Sequence, residues 1–196
     1  MIRRCLQWSV ALLLAAAVAC SPTKPEFKGA DITGVDWGGD VRLQAHTGNE
    51  VSTADFRGKV LVLFFGYTHC PDICAPTLAK LAAVRKELGS DGNRLQVLFI
   101  TVDPAHDNAA QLAGFVPKFD PSFIGLTGTP EQLAAVARAH KVAYTPGSDP
   151  EQVEHSSGIL VKDGNGKLRL LWQNNTSVSD MTHDVRLLLQ PTVASK

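Results

Sequence analysis

The sequence is poor in cysteine and has no surplus of charge. Four of its 196 residues are cysteines, and 19 basic side chains balance 19 acidic ones. The globular part has no cluster of lysine and arginine, which argues against a nucleic acid as partner. Internal repeats and low-complexity stretches are also lacking, so we expect one domain and a short targeting segment.

The N-terminus lacks an apolar run long enough to span a bilayer. The uncharged segment Trp8–Ala19 has only twelve residues and follows Arg3 and Arg4, the arrangement of an export signal. Small residues before Cys20 resemble a bacterial lipobox, although Ala17 replaces the usual leucine. We expect lipidation of Cys20, with an uncleaved anchor as the alternative. The predicted segments are a lipoprotein signal peptide at 1–19, a tether at 20–40, a domain at 41–190 and a tail at 191–196. The protein is therefore placed in the cell envelope, on the periplasmic side, as a membrane-anchored lipoprotein.

Two of the four cysteines fall at one junction in the predicted domain. An apolar run, Leu61–Phe65, stops at Gly66, and Cys70 and Cys74 follow with three residues between them. The apolar residues after Cys74 have helical spacing, so both thiols should lie where a strand meets a helix. A disulfide closing so small a loop would constrain the unfolded chain little, which favours redox or metal chemistry over a structural role.

Apolar patterns along the chain alternate between strands and helices. The segments 41–52 and 158–172 read as β-hairpins, the second with the turn sequence Asp163-Gly164-Asn165-Gly166. Strands are predicted at 60–65, 95–102 and 123–126, helices at 75–88, after Asn108, after Thr129 and at 178–189, and a loop at 142–154. This order predicts an α/β fold with a mixed sheet flanked by helices. The cysteine pair after the first central strand and the late hairpin suggest a thioredoxin-like fold.

Two convergent thiols can exchange electrons or bind a soft metal. A closed zinc site needs four ligands and an iron–sulfur cluster usually needs four cysteines, so the cysteine count favours copper. The third ligand would then be histidine or methionine. His155 ends the loop before the strand at 158–161, where a thioredoxin fold normally carries a cis-proline facing the dithiol. His69 is the main rival, but we expect the ring of so close a neighbour of Cys70 to point away.

Four segments carry a family resemblance. They are 64–74 (Phe-Phe-Gly-Tyr-Thr-His-Cys-Pro-Asp-Ile-Cys), 101–104 (Thr-Val-Asp-Pro), 125–128 (Gly-Leu-Thr-Gly) and 154–156 (Glu-His-Ser). In this order they closely resemble the Sco/SenC family over about residues 40–190. The resemblance implies a thioredoxin-like fold with an added N-terminal β-hairpin. It also implies binding of copper through Cys70, Cys74 and His155. We expect Cu(I) as the main form and Cu(II) as a second one. The family's role is assembly of the binuclear copper centre of cytochrome c oxidase, by copper delivery, cysteine reduction or both.

Some positions depart from the family pattern or leave alternatives open. Ala75 stands where the family often has proline, with Pro76 following, which should shift the helix start by one residue. Glu154 replaces a common aspartate and either orients the imidazole of His155 or is a solvated loop acid. Asp103 is expected to contact a partner, to support a ligand, or to cap the following turn. Asp72 is assigned to the helix start, because carboxylate is a poor Cu(I) ligand.

Two functions therefore compete. The leading hypothesis is a membrane-tethered copper chaperone. Its partners would be the copper-centre subunit of cytochrome c oxidase or another copper respiratory enzyme, other copper chaperones, and a thioredoxin-like reductant. The alternative is a thiol–disulfide oxidoreductase for exported proteins, with Cys70 attacking and Cys74 resolving, so enzymatic activity stays open. A peroxiredoxin-like peroxidase is disfavoured by the spacing of Thr68 and Cys70.

Overall fold

The computed structural model describes residues 26–145, 154–155 and 158–190, with the backbone alone described at 144–145 and 154–155. Eight strands of this part form one mixed sheet. They are β1 (Ala30–Asp31), β2 (Arg42–Ala45), β3 (Glu50–Ser52), β4 (Val60–Gly66), β5 (Leu95–Thr101), β6 (Ile124–Thr127), β9 (Ile159–Lys162) and β10 (Leu168–Trp172). Their order across the sheet is β1-β10-β9-β4-β5-β6-β2-β3. Strands β7 (Tyr144–Thr145) and β8 (Glu154–His155) form a separate antiparallel ribbon.

The centre of the sheet is built from two apolar strands. Every residue of β4 and β5 is buried, because helices or chain segments cover both faces. The two strands run parallel, in register from Val60 opposite Leu95 to Gly66 opposite Thr101. Strand β9 pairs with the other side of β4 in the antiparallel sense, with Ile159 opposite Phe64. The carboxyl ends of β4 and β5 and the start of β9 therefore meet at one edge of the sheet.

Helices cover the two faces unequally. The helices are α1 (Cys74–Glu87), α2 (Ala109–Phe115), α3 (Pro130–Ala139) and α4 (Val178–Leu189), with 3₁₀ turns at Thr53–Phe56, Gly89–Arg94 and Val116–Lys118. Buried residues of α1, α2 and α4 share one core with alternate residues of the central strands. Helix α3 and the segment before β2 cover the other face. No helix in the described part of the chain is long and apolar enough to cross a membrane.

The architecture confirms the predicted mixed sheet flanked by helices, with the added N-terminal hairpin. Strands β2 and β3 form that hairpin, and β2 joins the main sheet by pairing with β6. Helices α2 and α3 begin directly after Asn108 and Thr129, as predicted, and the side chains of these two residues accept the capping hydrogen bonds.

Two short elements differ from the sequence prediction. The predicted loop at 142–154 contains β7 and the first residue of β8, Glu154, which pairs with Thr145. Within the predicted tether, β1 pairs with β10. The carboxylate of Asp184, itself fully buried, holds the preceding segment by accepting the backbone N–H groups of Lys28 at 2.7 Å and Gly29 at 2.9 Å.

Candidate metal centre

Cys70 and Cys74 lie together where β4 leads into α1, as the sequence predicts. Both are free thiols; Cys74 is fully buried, whereas Cys70 is partly exposed. The end of β4 must be glycine to accommodate them. A Cβ atom on Gly66 would lie 2.8 Å from the Cys74 sulfur and 2.8 Å from the Phe99 ring. Gly66 therefore lets the buried sulfur pack directly against the strand end.

The pKa values of the two thiols are shifted in opposite directions. The pKa of Cys70 is lowered to about 5, mainly by a hydrogen bond from the Cys74 thiol. Burial acts in the opposite direction, and the backbone N–H groups of residues 72–74 lower the pKa further. The same bond, followed by burial, raises the pKa of Cys74, against a smaller contribution from the Tyr67 backbone N–H. At neutral pH the pair is therefore a Cys70 thiolate that accepts the Cys74 proton in a hydrogen bond.

Helix α1 begins without a side-chain cap. Ile73 is its N-cap residue, and the Asp72 side chain, which we expected to serve the helix start, makes no capping bond. The backbone N–H groups of Asp72, Ile73 and Cys74 instead contribute to lowering the pKa of Cys70. Cys70 thus lies at the N-terminal end of the helix, where the helix dipole favours a negative charge.

A buried carboxylate that we did not single out from the sequence organises this edge. Asp107, fully buried, accepts the backbone N–H of Thr68 at 2.9 Å and its hydroxyl at 2.5 Å. The oxygen that accepts the Thr68 N–H also accepts the hydroxyl of Thr101, at the end of β5, at 2.8 Å. Asp107 therefore ties the loop before Cys70 to the neighbouring strand. The only sequence signal was a second aspartate four residues after Asp103.

Asp103 is buried and contacts the turn that follows β5. Its carboxylate lies 2.8 Å from Nδ1 of His106, and its carbonyl accepts the backbone N–H groups of His106 and Asp107. Its negative charge also contributes to the raised pKa of Tyr67, after burial and the two cysteines. The Asp103 side chain thus contacts the His106 ring, and its expected roles in capping the turn, supporting a ligand or contacting a partner stay predictions.

The other predicted ligand lies partly outside the described residues. The backbone of His155 pairs with Tyr144, and that of Glu154 with Thr145. His155 precedes Ile159 by four residues, which a chain spans in at most about 14 Å, and Ile159 pairs with β4 two residues before Gly66. The backbone position therefore allows an approach to the thiols. The side chains of His155 and Glu154 lie outside the described residues, and so does Cys20.

The histidines with described side chains do not complete a cluster with the cysteines. His46 accepts the Gly125 N–H at the far hairpin, and His140 is buried against Phe65. His69 is exposed, with Nδ1 near the Thr68 hydroxyl and its ring beside His106. Among the described side chains, no group of three or more histidine, cysteine, aspartate or glutamate residues is arranged to hold a metal. The thiolate–thiol pair can supply two soft ligands or one dithiol couple.

Comparison with known proteins identifies relatives that are similar to this chain in sequence and in structure. The chain is 40% identical over 154 residues to the bovine protein SCO2 homolog, mitochondrial, covering 76% of this chain and 58% of that one. A crystal structure of Arabidopsis thaliana ScoI with copper bound matches with a TM-score of 0.71 and 33% identity, over 78% of this chain and 97% of that one. A SCO1/SenC family lipoprotein from Bacillus anthracis matches with a TM-score of 0.72 and 25% identity, over 82% and 100%.

The family model described as SCO1/SenC matches residues 30–190, from β1 to the end of α4. This range contains the whole sheet and both cysteines of the junction. The chain belongs to the SCO1/SenC family.

Proposed function

We propose that this protein carries copper, held by Cys70, Cys74 and His155. The observation that supports this most is the pair of free thiols at the start of α1, with Cys74 buried against Gly66 and Cys70 partly exposed. Thiolates are preferred ligands of Cu(I), and a neutral imidazole is a suitable third ligand. Copper is the cargo in this proposal, and Cu(II) is a second form that the same ligands would accept.

Binding and release follow from the state of the two sulfurs. The Cys70 thiolate is ready to bind, whereas Cys74 must lose its proton, so loading releases about one proton per ion. Because Cys70 is partly exposed, a partner's ligand can reach the ion without opening the core. Glu154 is assigned to orienting the His155 ring through its free nitrogen.

The proposed recipient is the binuclear copper centre of cytochrome c oxidase, the role that membership of the family implies. The related ScoI structure from Arabidopsis thaliana holds copper, which supports copper as the cargo here. Another copper respiratory enzyme is a second recipient, and other copper chaperones are proposed as donors.

We assign the protein to the periplasmic side of the cell envelope, anchored through a lipid on Cys20. The basic residues, apolar segment and small residues before Cys20 support this, and so does the lipoprotein description of the Bacillus anthracis relative. Residues 20–40 would then link the lipid to the domain, with β1 already paired to the main sheet.

A second function is favoured by the low pKa of Cys70. The Cys70 thiolate could attack a substrate disulfide and release one substrate thiolate, forming a mixed disulfide. Cys74 would then lose its proton and attack Cys70, which yields the Cys70–Cys74 disulfide and the second substrate thiol. A thioredoxin-like dithiol partner would supply two electrons to restore the pair. This reaction uses both cysteines and does not use His155.

One set of variants separates the two functions. We expect the reduced protein to bind one Cu(I) tightly, and Cys70→Ser, Cys74→Ser and His155→Ala each to lower the affinity at least tenfold. His183→Ala, an exposed histidine on α4, is the matched control. Tight Cu(I) binding that is unchanged in His155→Ala would overturn the ligand set. Reduction of disulfide substrates by His155→Ala at the wild-type rate would favour the oxidoreductase.

A further inference from the structure

Two histidines outside the proposed ligand set lie together beside Cys70. His69 immediately precedes Cys70, and His106 lies in the turn after β5 with 39% of its side chain exposed. Their ring centres are 6.2 Å apart and their planes are inclined at 72°. Both loops leave the carboxyl ends of the parallel strands β4 and β5, so the two rings share the edge that carries the thiols.

Hydrogen bonds fix which nitrogen of each ring carries the proton. The Thr68 hydroxyl donates to Asp107 at 2.5 Å, so its oxygen can only accept from Nδ1–H of His69, 3.2 Å away. The carboxylate of Asp103 accepts Nδ1–H of His106 at 2.8 Å. Each neutral ring therefore keeps its lone pair on Nε2. A carboxylate or hydroxyl on Nδ1 with Nε2 left as donor atom is the usual arrangement of a histidine that binds a metal.

The spacing of the ring centres limits how one ion could be held between them. An ion about 2.0 Å from each Nε2 lies about 3.2 Å from each ring centre, so two rings on one ion are at most ~6.3 Å apart, when the arrangement is linear. The observed 6.2 Å is near this limit. Linear coordination by two nitrogens suits the monovalent d¹⁰ ions Cu(I) and Ag(I), whereas zinc needs four ligands.

We propose that His69 and His106 form a second, two-coordinate Cu(I) site at the rim of the metal centre. Asp103 and Thr68, the latter held by Asp107, are its positioning residues. The Cα atoms of His69 and Cys70 are only about 3.8 Å apart, so an ion can exchange an imidazole for the Cys70 thiolate without leaving the protein. Its oxidation state does not change in this step. This transit role rests on the proposed function, but the existence of the site does not.

The site is tested in the full chain after removal of the three proposed primary ligands. We expect the variant Cys70→Ala/Cys74→Ala/His155→Ala to bind one Cu(I), at least 100-fold more weakly than the wild type, in competition with a chromophoric Cu(I) chelator. Ag(I) is a second probe. Adding His69→Ala or His106→Ala should abolish this binding, whereas adding His183→Ala should leave it unchanged.

Several results would overturn the proposal. They are an absence of Cu(I) binding in the triple variant, binding that persists without His69 and His106, and dependence on only one of them. Because the wild-type affinity is measured separately, failure of the rim site is distinguishable from failure of the primary site.

Nitrogen NMR of the metal-free wild-type protein gives an independent test that needs no variant to fold. In its neutral form each ring should carry the proton on Nδ1, and an Nε2–H tautomer at either would contradict the hydrogen-bond assignment. For transit, His69→Ala should load Cys70 and Cys74 more slowly than the wild type at an unchanged final occupancy. Equal loading rates would refute the transit role.

Discussion

Gly66→Ala should damage the metal centre and the core together. The added Cβ would lie 2.8 Å from the Cys74 sulfur and 2.8 Å from Cε2 of Phe99, where ordinary contacts begin at 3.4 Å. Each neighbour must therefore move by about 0.6 Å, and both are fully buried. Interiors are close-packed, so overpacking of this kind costs about 1–3 kcal/mol of unfolding free energy. We also expect a weaker Cu(I) complex, because the displaced sulfur is a proposed ligand.

The contact with Cys74 gives this prediction a specific test. In a Cys74→Ala background the sulfur is absent, so Gly66→Ala should cost less than it does in the wild type, with a coupling of about 1 kcal/mol. The four proteins of this cycle are compared by urea denaturation under reducing conditions. Gly114→Ala, in helix α2 where the new Cβ would point into open space, is the matched control. It should stabilise by about 0.5–1 kcal/mol. Additive losses at Gly66 and Cys74, or a Gly66→Ala as stable as the wild type, would refute the packing argument.

Three further predictions concern ionisable groups, two at the site and one at the N-terminal segment. Between about pH 5 and pH 9 the folded thiol pair binds one proton fewer than two unfolded thiols. The free energy of unfolding of the reduced protein should therefore rise with pH across this window and fall above it. Urea denaturation at several pH values should show this rise in the wild type and not in Cys70→Ser. Asp107→Asn should cost about 1–3 kcal/mol, because the amide cannot accept all three donors of Thr68 and Thr101; an unchanged midpoint in urea would contradict this. Asp184→Ala should release the segment at Lys28 and Gly29 to proteolysis and leave the Trp172 indole N–H unpaired; unchanged cleavage rates would show that β1 pairing alone suffices.

The sequence predicts the central elements because local signals coincide there. The apolar runs of β4 and β5 are long and β-rich, the turn at Asp163–Gly166 specifies its hairpin, and Thr129 caps α3 in the expected way. The cysteine junction is predicted for the same reason. A strand ends at Gly66, a helix begins at Cys74, and the spacing between them is short.

Contacts between distant segments are what the sequence could not specify. Strand β1 has two residues, and its neighbours Lys28 and Gly29 depend on Asp184, more than 150 residues away. The role of Asp107 depends on Thr68 and Thr101, which come from two different strand ends. The ribbon of β7 and β8 is too short to give a periodic signal. His155 as a ligand was inferred from its place before β9 and from the family resemblance, and stays a prediction.

The ligand set is tested most directly by X-ray absorption at the copper edge of the Cu(I)-loaded, reduced protein. Two sulfur ligands at about 2.2–2.3 Å and one nitrogen ligand at about 2.0 Å are expected, with the nitrogen lost in His155→Ala and retained in His69→Ala. A site with sulfur ligands alone in the wild type, or a nitrogen ligand that persists in His155→Ala, would contradict copper binding by Cys70, Cys74 and His155.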